Sequence, residues 1–301
     1  MASGDLTLDH VVIAVRDLGA ARESYTALLG RSPSWSGRHP AYGTENVLYR
    51  LENTYVELLS PRGDAAPGSW GERLLAHLAR GGDGLWAIAI GTADLDARVA
   101  ILRARGLPVA DPAPGEGEDL DTGARRAWRN AFIPVEATRG VNCFLIKHLS
   151  PPNALPVARP LAPEGSYVTR VDHVVVPSSN LAAARRLWSE VMGVRLARER
   201  NFPERNSRLL FFRLRDVTLE IAGRIEGEGN DTGDRLWGVA YEVEDVACAA
   251  ARLRGAGFDV SEVRDGRGER TKVATVRSST CGVPTLLIEN EWRADAKETA
   301  T

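Results

Sequence analysis

The chain repeats itself, and that repetition constrains its fold more than any other feature. An offset of 163 residues sets "LTLDHVVIAV" (Leu6–Val15) on "TRVDHVVVPS" (Thr169–Ser178), and His10 on His173. With no gap, the same offset sets Gly30 on Gly193, Arg50 on Arg213 and Glu57 on Glu220. Each half therefore holds a histidine and a glutamate 47 positions apart (57 − 10 and 220 − 173). A second offset, of 151, sets Gly84–Val109 on Arg235–Val260, with Asp94 on Asp245 and Gly106 on Gly257. Self-similarity of this kind marks a supersecondary unit that has been copied.

Every copy reads alike by periodicity. An apolar strand such as His10–Val15 leads through a turn at Asp17 into an Ala-rich amphipathic helix, about Leu18–Leu29, stopped by Gly30. Alternating strands follow, "NVLYRL" and "TYVELL" in the first copy, "RLLFFRL" and "VTLEIA" in the third. The expected architecture is α+β, with four β-α-β-β-β units at about 6–60, 84–149, 168–223 and 235–292. Two domains result, 1–149 and 168–301, joined by the Pro-rich linker 150–167. "DPAPGEGEDLDTGARRAW" (Asp111–Trp128) is rich in Gly, Pro and charge, which predicts a mobile flap or a disordered loop.

Composition limits the partners. A formal charge of −2 with 26% charged residues gives no electrostatic case for nucleic acid or an anionic membrane. No apolar run approaches the roughly 20 residues needed to span a bilayer, and "MASGDLTLDH" carries no signal-peptide pattern. Cys143, Cys248 and Cys281 are too few and scattered for a disulfide framework or a thiolate zinc site. The expectation is a cytoplasmic protein, monomer or homodimer, whose partner is a small molecule.

"DHVVIAVRDL" and "DHVVVPSSNL" open units one and three, and "YVELL" and "TLEIA" close their last strands. With the helix-to-Gly stops "YTALLG" and "WSEVMG", these motifs resemble the vicinal oxygen chelate superfamily: glyoxalase I, extradiol dioxygenases, and fosfomycin and bleomycin resistance proteins. "HPAYGTENVLYRLENTYVELL" (His39–Leu59) is similar to the glyoxalase-like subgroup. The resemblance covers nearly the whole chain and speaks to fold more than to reaction. It implies that units pair into open, cup-shaped mixed sheets, each cup holding metal and substrate.

A glyoxalase-type site would take a first-strand residue and a last-strand Glu from each of two paired units. Units one and three match it with His10 and Glu57, and with His173 and Glu220. Units two and four place Ala87 and Phe144, and Gly238 and Leu286, at the same positions, and none of these binds a metal. His148 and Glu289 are four and three residues beyond Phe144 and Leu286, too far along the strand or on the other face. Two donors per cup would leave a divalent ion (Mn, Fe, Ni or Zn) completed by water or substrate, or no metal. Without one, His10–Glu57 and His173–Glu220 are candidate acid/base pairs. His39 is expected in a loop at the cup mouth, and Arg50 and Arg213 as clamps for an anionic substrate. Trp86 and Trp237 are expected to pack under the helices, away from the cup, and His77 on a helix surface.

Three functional readings follow. The first is a vicinal-oxygen-chelate enzyme, lyase or isomerase. Extradiol cleavage is disfavoured because only His173 of its expected triad is matched, with Gly238 and Leu286 at the other positions. The second is a metal-free binding or sequestering protein like those of bleomycin resistance. The third makes one cup active and the other structural, with "HPAYGTEN" pointing to the N-terminal one.

Overall fold

A computed structural model describes residues 6–63, 65–225 and 231–290. The readings for the extreme N-terminus and for 291–301 lie outside the described residues. Unit one comprises β1 (Thr7–Ala14), α1 (Leu18–Leu29), β2 (Trp35–His39), β3 (Thr44–Arg50) and β4 (Tyr55–Pro61). A connecting helix α2 (Trp70–Gly81) leads to unit two: β5 (Gly84–Gly91), α3 (Leu95–Ala104), β6 (Ala113–Asp119), β7 (Arg125–Phe132) and β8 (Cys143–His148). Unit three has β9 (Val168–Pro177), α4 (Leu181–Arg185) running on into a π-helical stretch Arg186–Val191, then β10 (Arg195–Phe202), β11 (Ser207–Leu214) and β12 (Val217–Arg224). Unit four has β13 (Gly238–Val243), α5 (Val246–Gly255), a two-residue β14 (Arg264–Asp265), β15 (Thr271–Val276) and β16 (Thr285–Asn290). No described helix is long and apolar enough to cross a membrane.

The same local chemistry starts the helix of each unit. Asp17, Asp94, Asn180 and Asp245 each accept the backbone N–H three residues on, satisfying one of the orphan donors of the first turn. Gly30 ends α1 in the left-handed conformation (φ 65°).

Within each half the two first strands pair antiparallel, β1 with β5 and β9 with β13. His10 lies opposite Ala89 while Val12 lies opposite Ala87, so the local two-fold puts Ala87 where the other unit has His10. His173 opposite Ala240 and Val175 opposite Gly238 give the same relation in the second half. Both ladders slip by one residue just before the histidine, between Leu8 and His10 and between Val171 and His173. The extra residue is Asp9 in one and Asp172 in the other. A bulge of this kind re-aims a side chain, and here it brings each aspartate beside its histidine.

The halves differ at their edges. The second sheet is open, ending in β10 and β14. The first closes into a barrel because β2 pairs with β6, Gly37 opposite Asp119 and Arg38 opposite Glu118. The open cup expected for both therefore holds for the second half only. The cause is the segment expected to be a flap: residues 113–119 and 125–132 form an ordered hairpin, β6–β7. Gly37 permits the closure, since a Cβ there would meet the Trp35 indole at 2.1 Å and the Glu118 carbonyl at 2.8 Å.

Helices α1, α3, α4 and α5 pack against the sheets in one apolar core that runs through both halves. Tyr25, Leu28 and Leu29 of α1 share it with Tyr241, Ala250 and Leu253. The Tyr25 hydroxyl donates to the Thr280 carbonyl at 3.2 Å, and Arg252 donates to the carbonyls of Ala27 and Leu28. Residues 150–167 pack as a strap, with Leu155 and Ala158 buried and the Arg31 guanidinium donating to the carbonyls of Ala158 and Val168.

Candidate functional site

The first cup is small and nearly filled. Its cavity is about 50 Å³, lined by His10, His39, Asn46, Glu57, Trp128 and Phe144 among others, which is room for a few waters. The helix α2 covers it: the Trp70 ring packs against Trp86 at a tilt of 43° (4.3 Å between ring centroids), and Leu74 and Leu78 join the same buried cluster as Trp86, Ala87 and Phe144. Trp86 therefore packs against the covering helix, and its departure from the expected face follows from the second ladder slip, between Val12 and Ile13. His77 is half-buried and lies 6.0 Å from the Trp86 ring.

Here the predicted pair meets. His10 Nε2 is 3.4 Å from a Glu57 oxygen, and His10 Nδ1–H donates to Asp9 at 2.7 Å. The far side of Asp9 accepts from His148 Nε2 at 3.0 Å. Asn46 donates to the other Glu57 oxygen at 2.6 Å. Burial disfavours charge on His10, but hydrogen bonds to Asp9 and Glu57 overcome it and raise its pKa to about 9. At neutral pH the ring is a cation between two carboxylates. Burial alone would raise the Glu57 carboxyl; contacts with His10 and Asn46 hold it below its ordinary value.

His39 sits on strand β2, not in a mouth loop. It is buried, its Nδ1 is 3.1 Å from the Thr44 hydroxyl, and desolvation lowers its pKa. Arg50 is not in the cup: its guanidinium donates to the carbonyls of Pro152 and Leu155, tying β3 to the strap. It shares the face of Asn46 and Leu48 but lies past the end of the cup, so it corrects the expected clamp role.

The second cup is an open cavity of about 1080 Å³. His173 and Glu220 both line it. The His173 Nδ1–H donates to Asp172 at 2.7 Å, and Asn290 donates to that aspartate's other oxygen at 3.1 Å. Burial opposes charge on His173, yet Asp172 raises its pKa above the ordinary value. Its Nε2 edge is left for the cavity. Arg213 lines the same cavity. The register sets His173 against Thr218 and Thr218 against Arg213, two strands across, roughly 10 Å. Trp237, expected in the core, is 44% exposed and lines the cavity mouth.

The symmetric positions test the metal set. Phe144 presents its ring to His10 at 5.7 Å, and Ala87, Gly238 and Leu286 offer no donor. Among the described residues no group of three or more His, Cys, Asp or Glu side chains converges as a metal site. Each cup has two donors where the four-position pattern needs four, so neither fits a protein-held divalent ion of that pattern.

Sequence reasoning missed Asp9 and Asp172, although the Asp preceding each repeated His was a visible signal. It also missed Asn46, whose counterpart at the 163-residue offset is Leu209, and the arginines lining the second cup.

Comparison with known proteins follows the same division. A family model described as a glyoxalase-like domain matches residues 8–167, and one described as the glyoxalase/bleomycin resistance protein/dioxygenase superfamily matches 172–275. A mitochondrial methylmalonyl-CoA epimerase of Dictyostelium discoideum is 32% identical over 110 residues, covering 36% of this chain and 63% of that protein. The chain thus spans less than two thirds of that relative's length. Among solved structures, a mutant 4-hydroxymandelate synthase from Streptomyces coelicolor superposes with a TM-score of 0.65 at 16% identity, covering 95% of this chain and 92% of the other. The Mn(II)-bound glyoxalase from Novosphingobium aromaticivorans gives 0.61 at 18%, covering 94% and 82%. At such identities the structures speak to fold alone.

Proposed function

The chain belongs to the glyoxalase-like family of the vicinal oxygen chelate superfamily, and on that premise we propose that its second cup is the active site of an isomerase or lyase acting on a small anionic carbonyl compound. The observation that carries the reading is the open cavity of about 1080 Å³ with His173, Glu220 and Arg213 on its wall. The first cup, at about 50 Å³ on the same measure, is far smaller and lies under the helix α2.

The chemistry follows from the side chains. The Glu220 carboxylate accepts a proton from the carbon next to the substrate carbonyl, and the C–H electron pair moves into an enolate. His173, whose pKa the Asp172 contact on its other nitrogen raises against the opposing effect of burial, donates Nε2–H to the enolate oxygen. Arg213 pairs with the substrate's anionic group. Delivery of a proton to the opposite face from solvent in the open cavity, with Glu220 releasing its own proton to water, is isomerisation, and loss of a leaving group from the neighbouring carbon is a lyase reaction. The epimerase relative supports the first outcome. At the four positions of the pattern a bound Mn, Fe, Ni or Zn would find only His173 and Glu220 as donors, and no step is routed through one.

Proton NMR in D2O tests this with a panel of carboxylates bearing an adjacent carbonyl. Exchange of the α-proton is expected with the whole chain, lost in Glu220→Gln and retained in His10→Gln. Exchange that survives in Glu220→Gln overturns the assignment. Binding without exchange in any variant favours a metal-free sequestering protein, the reading that the missing donors at Gly238 and Leu286 support.

A further inference from the structure

The offset that aligns the two histidines also aligns the cup rims. Trp35, Gly37, His39 and Tyr42 of the first half correspond to Arg198, Arg200, Phe202 and Arg205 of the second. Strand register confirms the match: Trp35 lies opposite Leu48 and Gly37 opposite Asn46, while Arg198 lies opposite Phe211 and Arg200 opposite Leu209. Where the first half has a glycine that lets β6 close on β2, the second half has Arg200, and β10 and β14 remain unpaired edges. Across that gap, Arg200 donates to the Arg267 carbonyl at 2.8 Å. Both guanidiniums also approach the Phe202 ring, at 5.3 and 5.4 Å from its centroid. Arg198, Arg205 and Arg264 line the same cavity, against the carboxylates of Asp265 and Glu269 on that side. Five arginines against two carboxylates leave an excess of positive charge among the described residues of this rim, which favours an anion there.

We propose that this rim is a phosphate subsite, in which Arg200 and Arg267 from the two sheet edges grip a terminal phosphate or pyrophosphate on the substrate. The planar fork of Arg matches phosphate oxygens in pairs. A phosphate spanning the gap replaces, by ionic contacts, the β2–β6 backbone pairing that closes the first cup. This inference rests on the second cup being the working one and adds the substrate class: a carbonyl compound carrying a phosphate group remote from the reacting carbon.

Titration calorimetry on the full chain tests it with three probes: inorganic phosphate, pyrophosphate and an alkyl phosphate monoester. Saturable binding that weakens as salt rises is expected for pyrophosphate or the monoester. Arg200→Gln/Arg267→Gln is expected to lower affinity at least tenfold, and Arg264→Gln by a smaller factor. Arg215→Gln, an exposed arginine outside this cavity, is expected to change it less than twofold. Circular dichroism confirms that each variant is folded, and the Arg264 variant carries the test if the double variant is not. Absence of binding by all three probes, or equal losses in Arg215→Gln, overturns the proposal. Glu220→Gln separates the two readings. Phosphate binding that persists there while α-proton exchange is found in no form of the protein sinks the catalytic reading and leaves the subsite. Exchange without phosphate binding does the reverse.

Discussion

In the first cup Glu57 is held from both sides, by His10 and by Asn46, under a covering helix. In the second, the same backbone positions put Leu209 where Asn46 stands, and Glu220 faces an open cavity. The Asp–His arrangement is common to both, Asp9 with His10 and Asp172 with His173, each built by the same bulge. One backbone has thus produced a charged network locked into a core and a similar pair left open to a ligand. The lesson is that a repeated motif fixes where these groups sit, while side chains on neighbouring elements decide whether they are enclosed or face a cavity.

The sharpest break of this comparison is catalytic. Glu220→Gln is expected to reduce α-proton exchange by about 10² to 10⁴, and Glu57→Gln to leave it within twofold, both read by NMR in D2O. Equal losses would place both cups in the reaction.

Stability should respond in the opposite sense. His10→Ala removes the cation beside buried Glu57 and Asp9 and is expected to cost about 3–5 kcal/mol in urea unfolding. His173→Ala, beside an open cavity, is expected to cost only about 1 kcal/mol. A reversed order would contradict the division into a structural and a working cup.

The network also has a pH signature. His10 is raised from 6.5 to about 9 on folding, so its contribution is fully present below pH 6.5 and is lost as pH climbs through 9. The depressed carboxyls of Asp9 and Glu57 act the other way, adding stability above their ordinary values and losing it in acid. The wild type should lose a few kcal/mol of stability between pH 6.5 and 9, read by urea unfolding across that range, and His10→Gln should flatten the slope.

Smaller effects probe the rim. Gly37→Ala drives a methyl into the Trp35 indole and the Glu118 carbonyl and is expected to cost about 1–3 kcal/mol by loosening the β2–β6 closure. Amide exchange at Arg38 and Asp119 would rise with it. Least of all, Trp237→Phe should leave stability within about 0.5 kcal/mol and remove a fluorescence response to ligands of the second cup.

Much of this was legible before any coordinate. The repeat, the turn at Asp17 leading into a helix stopped by Gly30, and the spacing of His10 from Glu57 are local or strictly periodic, and periodic patterns survive in one dimension. The vacant positions at Ala87, Phe144, Gly238 and Leu286 could be read from the same register. The misreadings share a cause. Arg50 had the right face but the wrong height, because only the packed strap offered its guanidinium two carbonyls. Residues 111–128 looked like loop because Gly, Pro and charge disfavour strands, yet an available edge at β2 made a strand of part of them.

The sequence by itself determined the repeat, the fold it builds and the two half-sets of reactive groups, since spacing alone sets which residues share a strand face. Only the tertiary structure decided which cup is filled and which is open. That outcome depends on a helix from the connecting segment, a hairpin meeting an edge strand, and arginines arriving from two edges. Such meetings are between residues far apart in the chain, and their energies depend on shape and burial that no one-dimensional pattern records.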